Sequence, residues 1–156
     1  MKIGTIKGIT IRLNISTLLI IALVGFSAAS FYDQMVEGIG LVELILVGIL
    51  NGVILLASIL LHELSHSLMA QRYELNVTEI ELYLFGGVSK IEEEPRTPKS
   101  EMIISVVGPA TSLLIGGALF GLYFLPIAVP SFLVVTFFYS GLSNVILGIF
   151  NMITAF

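Results

Sequence analysis

Four apolar runs, each long enough to cross a hydrocarbon core of about 30 Å, constrain this chain more than any other feature. They are Ile15–Tyr32, Leu44–Ala70, Met102–Leu125 and Phe132–Phe156. Runs this long and this poor in charge can hide their backbone polar groups in lipid only as helices. Charged residues are 12% of the 156 positions, against roughly 25% in a soluble domain, so a large water-soluble second domain is excluded. A single transmembrane core over 1–156 is the expected organisation. The net charge of -4 removes nucleic acid from the partners, because neutralising phosphates takes clustered Lys and Arg. With no cysteine, disulfides, iron-sulfur clusters, thiolate zinc sites and cysteine nucleophiles are excluded together, leaving oxygen and imidazole chemistry.

The seven basic residues set the orientation. Lys2, Lys7 and Arg12 precede the first run, and Arg72, Lys90, Arg96 and Lys99 lie between the second and the third. Because Lys and Arg accumulate on the inner side, the amino terminus and the 71–101 segment are expected in the cytoplasm. Asp33, Glu37 and the uncharged 126–131 turn then face outward. The expectation is a multi-pass protein of the cell membrane, held in the lipid bilayer with both termini cytoplasmic. The first run also has the parts of a cleavable signal peptide, with small residues Ser27, Ala28, Ala29 and Ser30 after its apolar core. Cleavage would leave three spans and break the charge pattern, so the run is read as a span.

Two stretches alternate with the period of a strand rather than a helix. Ile9, Ile11 and Leu13 alternate with Thr10 and Arg12, and Ile80, Leu82 and Leu84 with Glu79, Glu81 and Tyr83. Gly86 and Gly87 then interrupt before Val88–Ile91, which permits a hairpin turn or a close backbone approach. The predicted fold is mainly α: four transmembrane helices with a small β-sheet at the cytoplasmic membrane surface. Glu92 to Lys99 reads as a solvated linker, and the sequon at Asn76, on the inner side, as chance.

Near the inner end of the second run stand His62, Glu63, Leu64, Ser65 and His66, and no other histidine occurs in the chain. On a helix, residues four apart share a face, so both imidazoles can converge on one metal ion while Glu63 reaches a water bound to it. Zinc would lower the pKa of that water to about 7, and the glutamate could take its proton. The plain alternative is a chance match whose histidines are satisfied by hydrogen bonds inside a bundle. Depth argues against it. At 1.5 Å per residue, His66 and His62 stand roughly 9 and 15 Å along the helix from Arg72, inside the membrane, where an ionisable group is costly unless paired, hydrated or metal-bound.

An intramembrane H-E-x-x-H on a second span resembles the site-2 protease family of intramembrane zinc metalloproteases. The order of parts is similar along essentially the whole chain: the Gly8–Leu13 strand, the motif span, a Phe85, Gly86 and Gly87 turn within strands, and a Gly108, Pro109 and Ala110 opening in the third span. Asn151 to Phe156 resembles the start of the family's N-x-x-P and L-D-G signature. The resemblance implies Zn2+ as cofactor, with His62 and His66 as ligands and Glu63 as general base. A transmembrane protein is the implied substrate, its backbone held by Asn151 and by the sheet around Gly86 and Gly87, an edge to which an extended segment could add. The plain readings are a helix-to-helix hydrogen bond for Asn151 and interface packing for the sheet. Asn51 and Ser58 read as packing contacts. Three departures stand out: Thr154 where the pattern has proline, Ser112 where asparagine is frequent, and a third ligand, an aspartate, that would fall about three residues beyond Phe156. The 156 residues are therefore expected to be a truncated core that holds zinc weakly or not at all.

The expected activity is hydrolysis of peptide bonds in or near transmembrane segments, as in regulated intramembrane proteolysis. Two alternatives stay open. A metal transporter or sensor would use the same groups as a transient cation site, but should carry further ionisable groups on other spans, and Glu43 stands only at an outer edge. An inactive relative that grips a membrane segment fits the missing ligand.

Overall fold

The computed structural model describes residues 1–83 and 86–155. Leu84, Phe85 and Phe156, which the sequence reading placed in the second strand, the Phe-Gly-Gly segment and the last span, lie outside the described residues. Strands β1 (Lys2–Ile6) and β2 (Ile9–Leu13) lead into helices α1 (Ile15–Met35) and α2 (Leu41–Arg72). Strands β3 (Val77–Tyr83) and β4 (Gly86–Ile91) follow, then α3 (Pro98–Phe124) and α4 (Ser131–Ala155).

The strands form one sheet in the order β1-β2-β3-β4. β1 escaped the periodicity reading because it is an edge strand with no buried face, and its register slips between Lys2 and Gly4. It turns into β2 through Lys7 and Gly8, both at positive φ (47° and 82°), as a two-residue hairpin demands. β2 runs parallel to β3, with Ile11 opposite Ile80 and Leu13 opposite Leu82; the connection between them is the α1–α2 hairpin. Gly86 and Gly87 fall inside β4, paired with Tyr83 and Leu82, and not in a turn. The alternation works as expected: Ile9, Leu13, Ile80 and Leu82 bury one face of the sheet against Leu55, Ile59 and Ala70 of α2 and Ile104 of α3. On the polar side Glu79 bridges Arg12 and Lys90, each at 2.7 Å, joining three strands.

All four helices are long and apolar enough to cross a membrane, and the protein is a multi-pass membrane protein with the mainly α fold read from the sequence. The α1–α2 pair is held close by small residues: a Cβ on Gly25 would come within 2.6 Å of the Gly48 carbonyl oxygen. α2 has 32 residues, about 48 Å at 1.5 Å each, more than a bilayer core needs, so its last turns reach the sheet. α3 starts earlier than its apolar run. Thr97 and Ser100 form a reciprocal capping box with Pro98 in the first turn, which draws Pro98 and Lys99 out of the expected linker and into the helix. α4 continues unbroken through Thr154, a position where proline would have removed a helical hydrogen bond.

Between α2 and α4 a buried polar ladder crosses the bundle. Ser140 Oγ donates to Asn51 Oδ1 at 2.6 Å, and Asn51 Nδ2 donates to its own helix at Val47 O, 2.8 Å away. Ser58, read as a packing contact, bonds only the Ile54 carbonyl of its own helix among the described residues. The seven basic residues all lie at the sheet end of the molecule, and Asp33, Glu37 and Glu43 at the other.

Candidate metal centre

α2 carries His62, Glu63 and His66 into the bundle close to its sheet end. The four-residue spacing puts both rings on the face turned toward α3, which runs antiparallel and fixes each ring from behind. His62 Nδ1 lies 2.8 Å from Ser112 Oγ, and His66 Nδ1 lies 2.6 Å from the Ile104 carbonyl oxygen. The outer nitrogens thereby face each other, Nε2 to Nε2, at 3.2 Å. Gly108 makes the room for this: a Cβ there would lie 2.6 Å from ring atoms Cδ2 and Cε1 of His66. Pro109 follows, and its missing N–H leaves the Ser105 carbonyl without a helical donor beside the ring.

Glu63, buried to 8% exposure, turns the other way, toward the sheet. The Gly87 N–H donates to its Oε1 at 3.1 Å, and Ser89 Oγ stands 3.5 Å from Oε2. Ser89 in turn meets Ser67 of α2 at 3.0 Å. Of the two possibilities left open for the glycine pair, the close backbone approach is the one adopted: a Cβ on Gly87 would lie 2.7 Å from Glu63 Cδ. A cavity of about 310 Å³ opens here, lined by Glu63, His66, Ser89, Ser105, Asn151 and Thr154 among others. Asn151 thus shares a wall with the histidine motif, and its amide donates to Leu147 of its own helix at 2.8 Å rather than across to another. A larger groove of about 670 Å³ between α1 and α2 is almost wholly apolar and far from this chemistry.

The donor set can be tested for zinc on its own geometry. The Ile104 carbonyl only accepts, so a neutral His66 carries its proton on Nδ1 and presents a bare Nε2. Two nitrogens on one tetrahedral zinc, each at about 2.0–2.1 Å, stand roughly 3.3 Å apart, and the observed Nε2 pair matches that span. The two imidazoles fit a zinc ion as two of its ligands. Among the described residues no third His, Cys, Asp or Glu joins them.

Residues 51–129, which hold the histidine motif and the Gly108–Pro109 pair inside α3, match the family described as Peptidase family M50. The chain belongs to that family. Two relatives bear names that mark them as candidate zinc metalloproteases. Rip3 of Mycobacterium tuberculosis is 35% identical over 154 residues, 97% of this chain and 39% of that protein. The protein sll0528 of Synechocystis is 33% identical over 154 residues, 97% of this chain and 40% of that protein. This chain therefore spans about two fifths of the relatives it matches. Among solved structures, the site-2 protease from Methanocaldococcus jannaschii superposes with a TM-score of 0.69 at 27% identity, covering 98% of this chain and 64% of that one. The family resemblance seen in the sequence is upheld, and with it the arrangement of four apolar helices and a small sheet.

Of the groups that hold the motif in place, sequence reading missed the Ile104 carbonyl and Ser89, and noticed Gly108 only as part of the resemblance and Ser112 only as a departure. A signal existed for two of them. Gly108 and Ser112 are four apart on the neighbouring span, the spacing of His66 and His62 in the reverse sense.

Proposed function

We propose that this M50 chain forms the core of an intramembrane zinc metalloprotease that hydrolyses peptide bonds in or near membrane-spanning segments. The observation that carries this reading is the convergence of two imidazole nitrogens, His62 Nε2 and His66 Nε2, at 3.2 Å inside an apolar helical bundle, with a buried carboxylate anchored beside them. His62 and His66 would hold the zinc. Bound there, zinc supplies a Lewis acid that brings a water's pKa to about 7. Glu63 would be the base, taking the water's proton and returning it to the leaving amine, and the Gly87 N–H fixes the direction of its carboxylate by holding it at the sheet. α4 runs parallel to α2 and lines the same cavity through Asn151, Thr154 and Ala155, so a carboxylate following α4 would complete the ligand set.

β4 lies at the edge of the sheet and beside Glu63, which suits an unwound substrate segment adding as a further strand, with Asn151 meeting it from the opposite wall. The clustering of every basic residue at the sheet end supports a cytoplasmic position for that end and for both termini. A second reading, which the cavity beside Glu63 also accommodates, is a family member that grips a membrane segment without cutting it.

The test uses purified protein with elemental zinc analysis and a transmembrane model substrate. Glu63→Gln is expected to keep zinc and lose cleavage by a factor of about 100 or more, and His66→Ala to lose the zinc. Cleavage that survives Glu63→Gln would sink the mechanism. Zinc-free wild-type protein that still captures the segment would establish the second reading.

A further inference from the structure

Hydroxyls inside the spans have a habitual partner. Ser58, Ser65, Thr111, Thr136 and Ser143 each donate to the carbonyl four residues back on their own helix. Ser112, with no exposed surface, does not: among the described residues its one hydrogen-bond partner is His62 Nδ1, at 2.8 Å. The other histidine is pinned by a carbonyl, which only accepts, whereas a hydroxyl both gives and accepts.

The direction of each bond follows. His66 carries its proton on Nδ1, so its Nε2 is bare. With no ion bound, a second bare nitrogen 3.2 Å away would repel it, so His62 must place its proton on Nε2 and donate it to His66. His62 Nδ1 is then bare and accepts from the Ser112 hydroxyl. With a divalent cation bound, His62 Nε2 must be bare, its proton moves to Nδ1, and Ser112 has to accept. One proton leaves Nε2 and one arrives on Nδ1, with water as carrier, and the ring stays neutral throughout.

We propose that Ser112 is the positioning residue of the histidine pair, a two-way hydrogen-bond partner that satisfies His62 in both tautomers and so lets the pair pass between its ion-free and ion-bound arrangements. The inference rests on the metal-site reading above and adds the residue that governs loading.

The experiment combines zinc titration against a competing chelator with nitrogen-15 spectra of the two histidines, on wild type, Ser112→Ala, Ser112→Thr and His66→Ala. Ion-free wild type is expected to show His62 protonated on Nε2 and to switch to Nδ1 on saturation with zinc. Ser112→Ala should weaken zinc binding by about 10- to 100-fold, the usual cost of losing an outer partner of a ligating histidine, and Ser112→Thr should restore it. Wild-type affinity in Ser112→Ala, no rescue by Ser112→Thr, or His62 already protonated on Nδ1 in the ion-free protein would each overturn the proposal. If His66→Ala leaves zinc binding intact, the metal-site reading fails with it; if only His66→Ala lowers affinity, the proposal about Ser112 fails alone.

Discussion

Gly108 of α3 lies flat against the imidazole of His66 on α2, so close that a single methyl group in place of its hydrogen would come within 2.6 Å of two ring carbons. The obstacle is a ring held at its other nitrogen by the Ile104 carbonyl, and it cannot retreat without breaking that bond. Gly108→Ala should therefore damage the metal centre even though alanine favours a helix by up to about 1 kcal/mol over glycine. The expected outcome is a helical content equal to or above wild type together with a fall in zinc affinity of at least about tenfold, read by circular dichroism and chelator competition. Unchanged zinc affinity would mean that α3 yields at this point.

Gly87 plays the matching part for Glu63. Its N–H donates to the carboxylate at 3.1 Å, and a side chain there would meet the carboxyl carbon at 2.7 Å. Displacing the base without removing it should lower the rate constant for cleavage and leave zinc content alone. Gly87→Ala is expected to cost about 10- to 100-fold in kcat, less than Glu63→Gln, with one variant's metal content indistinguishable from the other's. Loss of zinc in Gly87→Ala would show that the sheet supports the ligands and not the base.

The sheet offers a pH test away from the membrane. Lys90, by its hydrogen bond, and then Arg12, by its charge, hold the Glu79 carboxyl below the ordinary glutamate range. A depressed folded pKa stabilises the fold fully above the unfolded value and loses that contribution as pH falls through the folded one. Glu79→Gln should therefore lower thermal stability at neutral pH, and the gap to wild type should close as the medium is acidified below the usual carboxylate range. A gap independent of pH would place the effect in packing instead.

The spans and the His62–Glu63–His66 motif were legible because each depends on residue type and spacing within one segment. β2 and β3 were legible for the same reason, since Ile9, Leu13, Ile80 and Leu82 bury one face. β1 was not, having no buried face to leave a period. For Gly87 and Gly108 the sequence showed no more than that a close backbone approach was possible at the one and that the other stood in a family resemblance, because the clearance a glycine provides is set by what another element packs against it. Gly87 meets a glutamate 24 positions away and Gly108 a histidine on a different helix. Ser112 showed only as an odd residue in a resemblance, and its meaning came from the antiparallel register of α2 and α3.

Register between α2 and α4 rests on Asn51, which is 1% exposed and accepts from Ser140 at 2.6 Å while its amide stands 3.4 Å from Thr136 Oγ1. Interhelical bonds of this kind contribute about 0.6 to 2 kcal/mol in membrane proteins, since the separated helices find other partners. Ser140 has such a fallback in the carbonyl four residues back on its own helix. Asn51→Leu keeps the volume and removes the polar link, so the expected loss is of that same small size, measured by reversible unfolding in detergent. The ladder is eleven residues from His62, roughly 16 Å along α2, so zinc affinity should not change if the link contributes stability alone. A variant that unfolds normally but binds zinc poorly would instead mean that Asn51 sets how far α4 slides along α2, and through Asn151 and Thr154 the shape of the cavity beside Glu63.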